Sequence, residues 1–125
     1  MILGMGVDLA EVDRIERSLQ TFGRRFLDRI YTPGEIAYCE RFRNRAERYA
    51  ARFAAKEAGM KALGTGWRRG IRWRDFEVFR HPGGRPGLRL SGEAAELASR
   101  MGVRNIALSL THTATQAMAQ VILEG

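Results

Sequence analysis

The chain has few of the residues that mark several large classes of protein. Cys39 is the only cysteine among 125 residues, so no disulfide can form within the chain, and no cysteine–histidine cluster supports zinc binding. The apolar runs are short and broken by charged residues, which predicts no membrane-spanning helix. The first residues lack the basic segment that opens a secretory signal. Together these absences favour a cytoplasmic protein with a single domain over residues 1–125 and no membrane partner.

Two common nucleotide-binding signatures are also missing, and acidic residues are in the minority. The sequence has neither a Walker-type phosphate loop nor a GxGxxG turn after a strand. Lys and Arg number 21 against 14 Asp and Glu, which gives a net charge of +7. Such a surface attracts polyanions, whether nucleic acid, a phosphorylated cofactor or an acidic protein. Much of the excess lies in the first half of the chain, at Arg14, Arg17, Arg24, Arg25, Arg29, Arg41, Arg43, Arg45, Arg48 and Arg52.

The periodicity of apolar residues predicts a segregated order of helices and strands. A helix is predicted to begin with Thr32 as its N-cap, Pro33 at its first position and Glu35 at its third, and to end near Arg43. The order, one strand, helices, strands, one helix and two strands, predicts an α+β fold with a mostly antiparallel sheet and helices packed on it. The other predicted elements are Met1–Val7, Ala10–Leu19, Ala46–Leu63, Trp73–Arg80, Leu88–Leu90, Glu93–Arg100, Asn105–Thr111 and Gln116–Leu123.

Asp8 follows the first apolar run and is the first candidate for chemistry. A carboxylate at the end of a buried strand can be held rigidly and still meet a ligand, and hard oxygen ligands suit metal-assisted phosphoryl chemistry. The simpler interpretation is that Asp8 caps the next helix by accepting backbone N–H bonds.

Glu57 and Lys61 lie four residues apart on the longest predicted helix, which Gly64 can end in a left-handed conformation. An ordinary surface ion pair explains that spacing. The functional interpretation makes Glu57 a metal ligand or base and Lys61 a phosphate ligand, with Lys56 pointing elsewhere. His112 ends a strand rich in hydroxyl groups and could bind phosphate oxygens, although the pattern by itself favours a hydrogen-bonded structural histidine.

Four segments taken together resemble the holo-acyl-carrier-protein synthases, the small bacterial class of phosphopantetheinyl transferases. They are GMGVDLAEVDRIE, RIYTPGEIAYCE, RFAAKEAGMKALGTG and SLTHTATQAMAQVILE, and the loop GGRPG is similar to a Gly-Lys/Arg-Pro turn of that family. The resemblance spans nearly the whole chain. It implies the 4′-phosphopantetheinyl transferase fold and a homotrimer with active sites between neighbouring subunits. It also implies transfer of 4′-phosphopantetheine from coenzyme A to a serine of an acidic apo acyl carrier protein, for fatty acid biosynthesis, with no nucleic-acid partner.

The resemblance further implies roles for individual residues. Asp8 and Glu57 correspond to magnesium ligands, and Lys61 contacts the phosphates and assists the departure of 3′,5′-ADP. Glu57, directly or through a water molecule, is the candidate base for the serine proton. The residues expected to bind coenzyme A are Arg52, Lys61, Gly64, Arg85, Pro86 and His112. The residues expected to face the carrier protein are Arg14, Arg17, Arg24, Arg25 and Phe26.

Two alternatives stay open at this point. The first is a small nucleic-acid-binding module, in which Trp67, Trp73 and Tyr49 would stack on bases. The second is a metal-dependent pyrophosphohydrolase, which would use water in place of the carrier serine.

Overall fold

The computed structural model describes residues 1–65 and 70–125, and its helices and strands follow the predicted order closely. A single 3₁₀ turn, Trp73–Asp75, occupies the start of the segment predicted as one strand over Trp73–Arg80. The strands are β1 (Ile2–Glu11), β2 (Phe76–Arg80), β3 (Pro86–Leu90), β4 (Asn105–His112) and β5 (Gln116–Glu124). The helices are α1 (Val12–Phe22), α2 (Arg24–Ile30), α3 (Pro33–Cys39), α4 (Arg45–Leu63) and α5 (Gly92–Met101).

The strands form two sheets, and every pairing among the described residues is antiparallel. One sheet has the order β1-β5-β4, and β2 pairs with β3 in a separate hairpin. The α+β prediction with a mostly antiparallel sheet is therefore confirmed, although the strands divide between two sheets. In the hairpin, β2 packs against α3 and α4, and β3 lies beside β4 without pairing to it. None of the described helices has the length and apolar character needed to cross a membrane.

Glycines in β1 let this strand lie directly against α4, the central helix of the fold. A Cβ atom built on Gly6 would overlap the backbone carbonyl of Ala58, and one built on Gly4 would overlap the carbonyl of Ala62. No other residue type would fit so close to helix backbone. On the opposite side of α4, Gly59 lies against Phe76 and Leu88, so packing explains the glycine inside this helix.

Most helix ends lie where local sequence signals predicted them. Thr32 Oγ1 accepts from the Glu35 backbone N–H, and Glu35 accepts from the Thr32 N–H, which confirms the capping box. Gly64 ends α4 with φ of 80°, the left-handed conformation predicted for it. The end predicted for α3 near Arg43 is wrong, because tight turns replace the helix after Cys39.

The outer face of the three-stranded sheet carries an apolar strip along β1 that stays exposed among the described residues of one chain. Even-numbered residues of β1 face α4, whereas Met5, Val7 and Leu9 point away from it and are 60%, 51% and 60% exposed. Met118 pairs with Leu9 across the strands and adds to this outer sheet face.

Candidate active site

Asp8 lies in the middle of β1, where it pairs with Ala119 of the neighbouring strand. The strand continues to Glu11, four residues beyond the predicted end at Val7, and α1 begins at Val12 without a side-chain cap. The interpretation of Asp8 as a helix cap is therefore wrong. Its side chain lies on the same face of β1 as Gly6, the face that packs against α4, and is only 14% exposed.

Lys61 reaches from the last turn of α4 to this carboxylate. Its Nζ donates to Asp8 Oδ1 at 2.9 Å and to the Val7 carbonyl at 3.1 Å. The simple pair between Glu57 and Lys61 does not form among the described residues, because Lys61 has turned to the strand instead. The hydrogen bond to Asp8 raises the pKa of Lys61, so this ammonium stays charged at neutral pH.

Glu57 stands close enough to Asp8 for their charges to interact. Partial burial raises the pKa of Glu57, and repulsion from Asp8 raises it further, while Lys61 and Arg14 act in the opposite direction. A raised carboxyl pKa suits a group that must accept a proton near neutral pH. Both carboxylates line one cleft of about 360 Å³, which also presents Arg14 and Phe26.

The chemistry of this pair fits one particular kind of metal site. The described residues contain no group of three or more His, Cys, Asp or Glu side chains that could hold an ion. The described side chains therefore do not form a complete metal-coordination shell by themselves. Asp8 and Glu57 are the two carboxylates available as protein ligands. Magnesium characteristically binds through one or two carboxylates together with substrate phosphates and water. The donor set of Asp8 and Glu57 fits an ion bound in that manner.

The residues expected near the nucleotide line other clefts of the same chain. Arg52 is buried, its Cζ lies 4.3 Å from the centre of the Tyr38 ring, and its Nε has no hydrogen-bond partner. Arg41 and Arg80 share this cleft of about 360 Å³. Arginines that lack carboxylate partners and stack on an aromatic ring are well suited to a phosphate.

The other four nucleotide candidates do not line the cleft of the two carboxylates either. His112 Nδ1 lies 3.0 Å from Glu47 Oε1 at the start of α4. Arg85 and Pro86 belong to the β2–β3 turn and line a cleft of about 300 Å³ against β4. Gly64 is exposed one turn from Lys61. One chain thus does not bring Arg52, His112 and the turn into the cleft of Asp8.

Two of the five carrier-facing candidates flank the carboxylate cleft, and sequence reasoning missed two of their neighbours. Arg14 and Phe26 line that cleft, and Arg25 with Phe26 lines an adjoining one of about 400 Å³. Phe22 and Arg29 share the adjoining cleft, and the exposure of Phe22 beside Gly23 is a signal that could have found it. Arg17 is exposed on α1, and Arg24 is paired with Asp28 at 2.9 Å.

Two of the three aromatic residues of the nucleic-acid alternative are not available for stacking on bases. Tyr49 is fully buried, and its hydroxyl donates to Glu40 at 2.7 Å. Trp73 is 6% exposed and stacks on Phe53 at 4.9 Å between ring centres. Trp67 lies outside the described residues. The burial of Tyr49 and Trp73 therefore argues against this alternative.

Comparison with known families decides the assignment of this geometry. The family model of the 4′-phosphopantetheinyl transferase superfamily matches residues 4–118. The chain belongs to this superfamily. Among curated phosphopantetheinyl transferases, a holo-[acyl-carrier-protein] synthase of Solibacter usitatus is 67% identical over 124 residues, and one of Koribacter versatilis is 59% identical over 124 residues. Each alignment covers 99% of this chain and 99% of the relative.

Solved phosphopantetheinyl transferase structures share the whole fold. The synthase of Neisseria meningitidis has a TM-score of 0.89 at 32% identity and is covered over 100% of both chains. The Helicobacter pylori synthase, in complex with coenzyme A, has a TM-score of 0.84 at 29% identity and covers 96% of this chain and 99% of its own. A Bacillus anthracis synthase in complex with CoA (3′,5′-ADP) reaches 0.82 at 36% identity, over 100% of this chain and 98% of its own. The family recognised from the sequence is therefore confirmed.

Proposed function

We propose that this chain transfers the 4′-phosphopantetheine group of coenzyme A to a serine of an apo acyl carrier protein and releases 3′,5′-ADP. One observation carries the proposal: Asp8 of β1 and Glu57 of α4 line one cleft, and Lys61 of α4 is hydrogen-bonded to the Asp8 carboxylate. The relatives of highest identity are named for this activity, and two similar structures are described with the coenzyme or its nucleotide. The holo carrier protein so formed would serve fatty acid biosynthesis, and the single cysteine agrees with a cytoplasmic site of action.

Asp8 and Glu57 would hold the magnesium ion in the proposed site. When bound, the ion supplies positive charge to the diphosphate oxygens of coenzyme A. Lys61 already donates to Asp8 and to the Val7 carbonyl, and its third proton would donate to a phosphate oxygen. The exposed half of the Lys61 side chain leaves it free to make that contact.

The transfer step requires one proton acceptor and one group that favours departure of the nucleotide. The serine hydroxyl oxygen forms a bond to the β-phosphorus, and the bond from that phosphorus to the bridging oxygen breaks. Glu57 accepts the serine proton, and the raised pKa of its carboxyl favours this role. The bond electrons leave with the 3′,5′-ADP oxygen, and the ammonium of Lys61 offsets the charge that develops there.

Three copies of the chain would complete the site. Arg52, Arg85 and Pro86 line clefts other than that of Asp8, and His112 lies against Glu47, so a coenzyme A molecule that meets both sets would lie between two chains. The outer sheet face supports association, because Met5, Val7, Leu9 and Met118 would otherwise leave an apolar strip in water. We therefore infer a homotrimer with active sites at its subunit boundaries.

The carrier protein would dock beside the cleft on α1 and α2. Arg14 and Phe26 line the cleft itself, and Arg25 lies next to it. An acidic partner would meet positive charge there and place its serine near Glu57. Long-range attraction of this kind raises the association rate and weakens with added salt.

Mass spectrometry of an apo carrier protein incubated with coenzyme A and magnesium tests the activity. The carrier should gain the mass of one phosphopantetheine, and both Asp8→Ala and Glu57→Gln should abolish the gain without unfolding the protein. Glu96→Gln, on the exposed face of α5, is the matched control and should retain full activity. Hydrolysis of coenzyme A without any carrier would support the pyrophosphohydrolase instead. Unchanged turnover in either carboxylate variant would remove the metal assignment.

A further inference from the structure

A second, fully buried pair of charges lies on the other side of α4. Lys56 Nζ and Glu35 Oε1 are 2.7 Å apart, and both side chains are completely shielded from solvent. Lys56 comes directly before Glu57 in the chain, yet the active-site cleft does not include it. The proposed chemistry thus assigns a role to Glu57 and none to Lys56.

The pair is satisfied by backbone groups from three separate elements. Glu35 Oε1 accepts from the Thr32 N–H at 2.9 Å, and Glu35 Oε2 accepts from the Val78 N–H at 2.8 Å. Lys56 Nζ donates to the carbonyls of Phe76 and Trp73, the latter at 3.3 Å. The network therefore ties α4 to the start of α3 and to both ends of the segment that leads into β2.

Stability alone gives a weak reason for such a network. Removing two charges from water is costly, and replacement of a buried ion pair by apolar residues of similar size is often neutral or stabilising. Burial lowers the pKa of Lys56, while the attraction of Glu35 opposes that shift, which shows the same cost acting on the lysine. Directional bonds, in contrast, specify one rotation of a helix where apolar contacts tolerate several.

Helix geometry connects this rotation to the active site. Consecutive residues of an α-helix are about 100° apart around its axis, so a lysine held toward β2 directs the next side chain to a different face. For Glu57 that face is the cleft shared with Asp8. Resting on the proposed function, we propose that the buried Lys56–Glu35 pair is a positioning device that sets the rotation of α4 and holds the Glu57 carboxylate in its reactive place.

The test compares a neutral pair with a matched loss of charge elsewhere on α4. Glu35→Gln/Lys56→Met removes both charges and keeps the side-chain volumes. Arg45→Met is the control, because it breaks an exposed ion pair, to Glu40 at 2.7 Å, on the same helix. Activity is measured as kcat and as KM for the carrier protein, and folding by thermal unfolding and near-ultraviolet circular dichroism.

If the buried pair positions Glu57, the double variant should lose turnover although it remains folded. A displacement of about 1 Å at a reacting group can cost about 100-fold in rate, so kcat of the folded double variant should fall at least about tenfold, with KM for the carrier unchanged. The ¹³C carboxylate resonance of Glu57, assigned with Glu57→Gln, should move in the double variant and stay in place in Arg45→Met. This second measurement requires no turnover.

Each outcome has a distinct meaning. A folded double variant with kcat within twofold of the parent protein, and an unmoved Glu57 resonance, would overturn the proposal and leave the pair a structural element. If the double variant does not fold, Glu35→Asp decides, because it keeps both charges but withdraws the carboxylate by one methylene; an unchanged kcat and resonance there would also overturn the proposal. Absence of transfer by the parent protein would refute the proposed function instead.

Discussion

Gly6→Ala is predicted to inactivate the protein by moving one strand. The new methyl carbon would overlap the Ala58 carbonyl oxygen and would lie 2.9 Å from the Ala62 nitrogen and 3.0 Å from the Ala58 carbonyl carbon. Ordinary contacts of a carbon atom lie near 3.5 Å, so β1 must retreat from α4 by about 1 Å. No rotamer change can relieve the overlap, because all three atoms belong to helix backbone.

The displacement acts on both halves of the proposed catalytic pair. Asp8 is two residues beyond Gly6 on the same face of β1, and Glu57 immediately precedes Ala58 on α4. Separating their carboxylates by about 1 Å should lower kcat by about 100-fold. Overpacking typically costs about 1–3 kcal/mol of unfolding free energy, which at this chain length lowers Tm by roughly 4 to 12 °C.

Turnover on an apo carrier protein and thermal unfolding measure the two effects separately. Gly34→Ala is the control for stability, since its methyl group would meet side-chain atoms and no backbone, the Glu77 carboxylate at 3.0 Å and the Thr32 hydroxyl at 3.9 Å. Its Tm should change by no more than about 2 °C, because surface substitutions usually stay within about 0.5 kcal/mol. If Gly6→Ala folds and turns over within threefold of the parent protein, the close approach of β1 does not set the carboxylate spacing.

Four further outcomes are expected. Lys61→Ala should slow the chemical step about 100-fold with little change in carrier affinity, and single-turnover kinetics separate the two. Arg14→Glu should raise KM for the carrier about tenfold at low salt; an unaltered KM would move the docking surface elsewhere. Leu9→Asp should convert the proposed trimer to a species near the 14.1 kDa chain mass in sedimentation, and an unchanged sedimenting mass would contradict an interface on this sheet face. Burial raises the pKa of Cys39 to about 12, so thiol reagents at pH 8 should label it only after unfolding; rapid labelling of the native protein would contradict this burial.

Local sequence signals predicted the helices well because the responsible groups are near neighbours. The Thr32 capping box uses atoms three residues apart, and the left-handed cap at Gly64 needs only that glycine lacks a Cβ. Where a prediction failed, a tertiary contact decided. Ser91, a residue type that favours caps, stands at the N-cap position of α5, yet its side chain makes no cap bond and its backbone N–H donates to the Asp75 carbonyl at 2.9 Å.

The partners of the site residues were predicted less well. The four-residue spacing of Glu57 and Lys61 favoured a pair between them, but Lys61 binds Asp8, 53 positions away in the chain. Similarly, Lys56 was expected only to point elsewhere, whereas the fold buries it against Glu35. Spacing along a helix reports which residues share a face, and it contains no information on what packs there.

The sequence alone determined the order of elements, the family and the side chains on which the chemistry depends, because helix signals are local and the family's motifs lie along the chain. The tertiary structure decided that Asp8 sits within a strand, beside Lys61 and Glu57, and that the residues expected at the nucleotide line separate clefts. Those outcomes follow from how closely β1, β2 and α3 approach α4, and the glycines and buried charges that set these distances act only between elements that are remote in sequence.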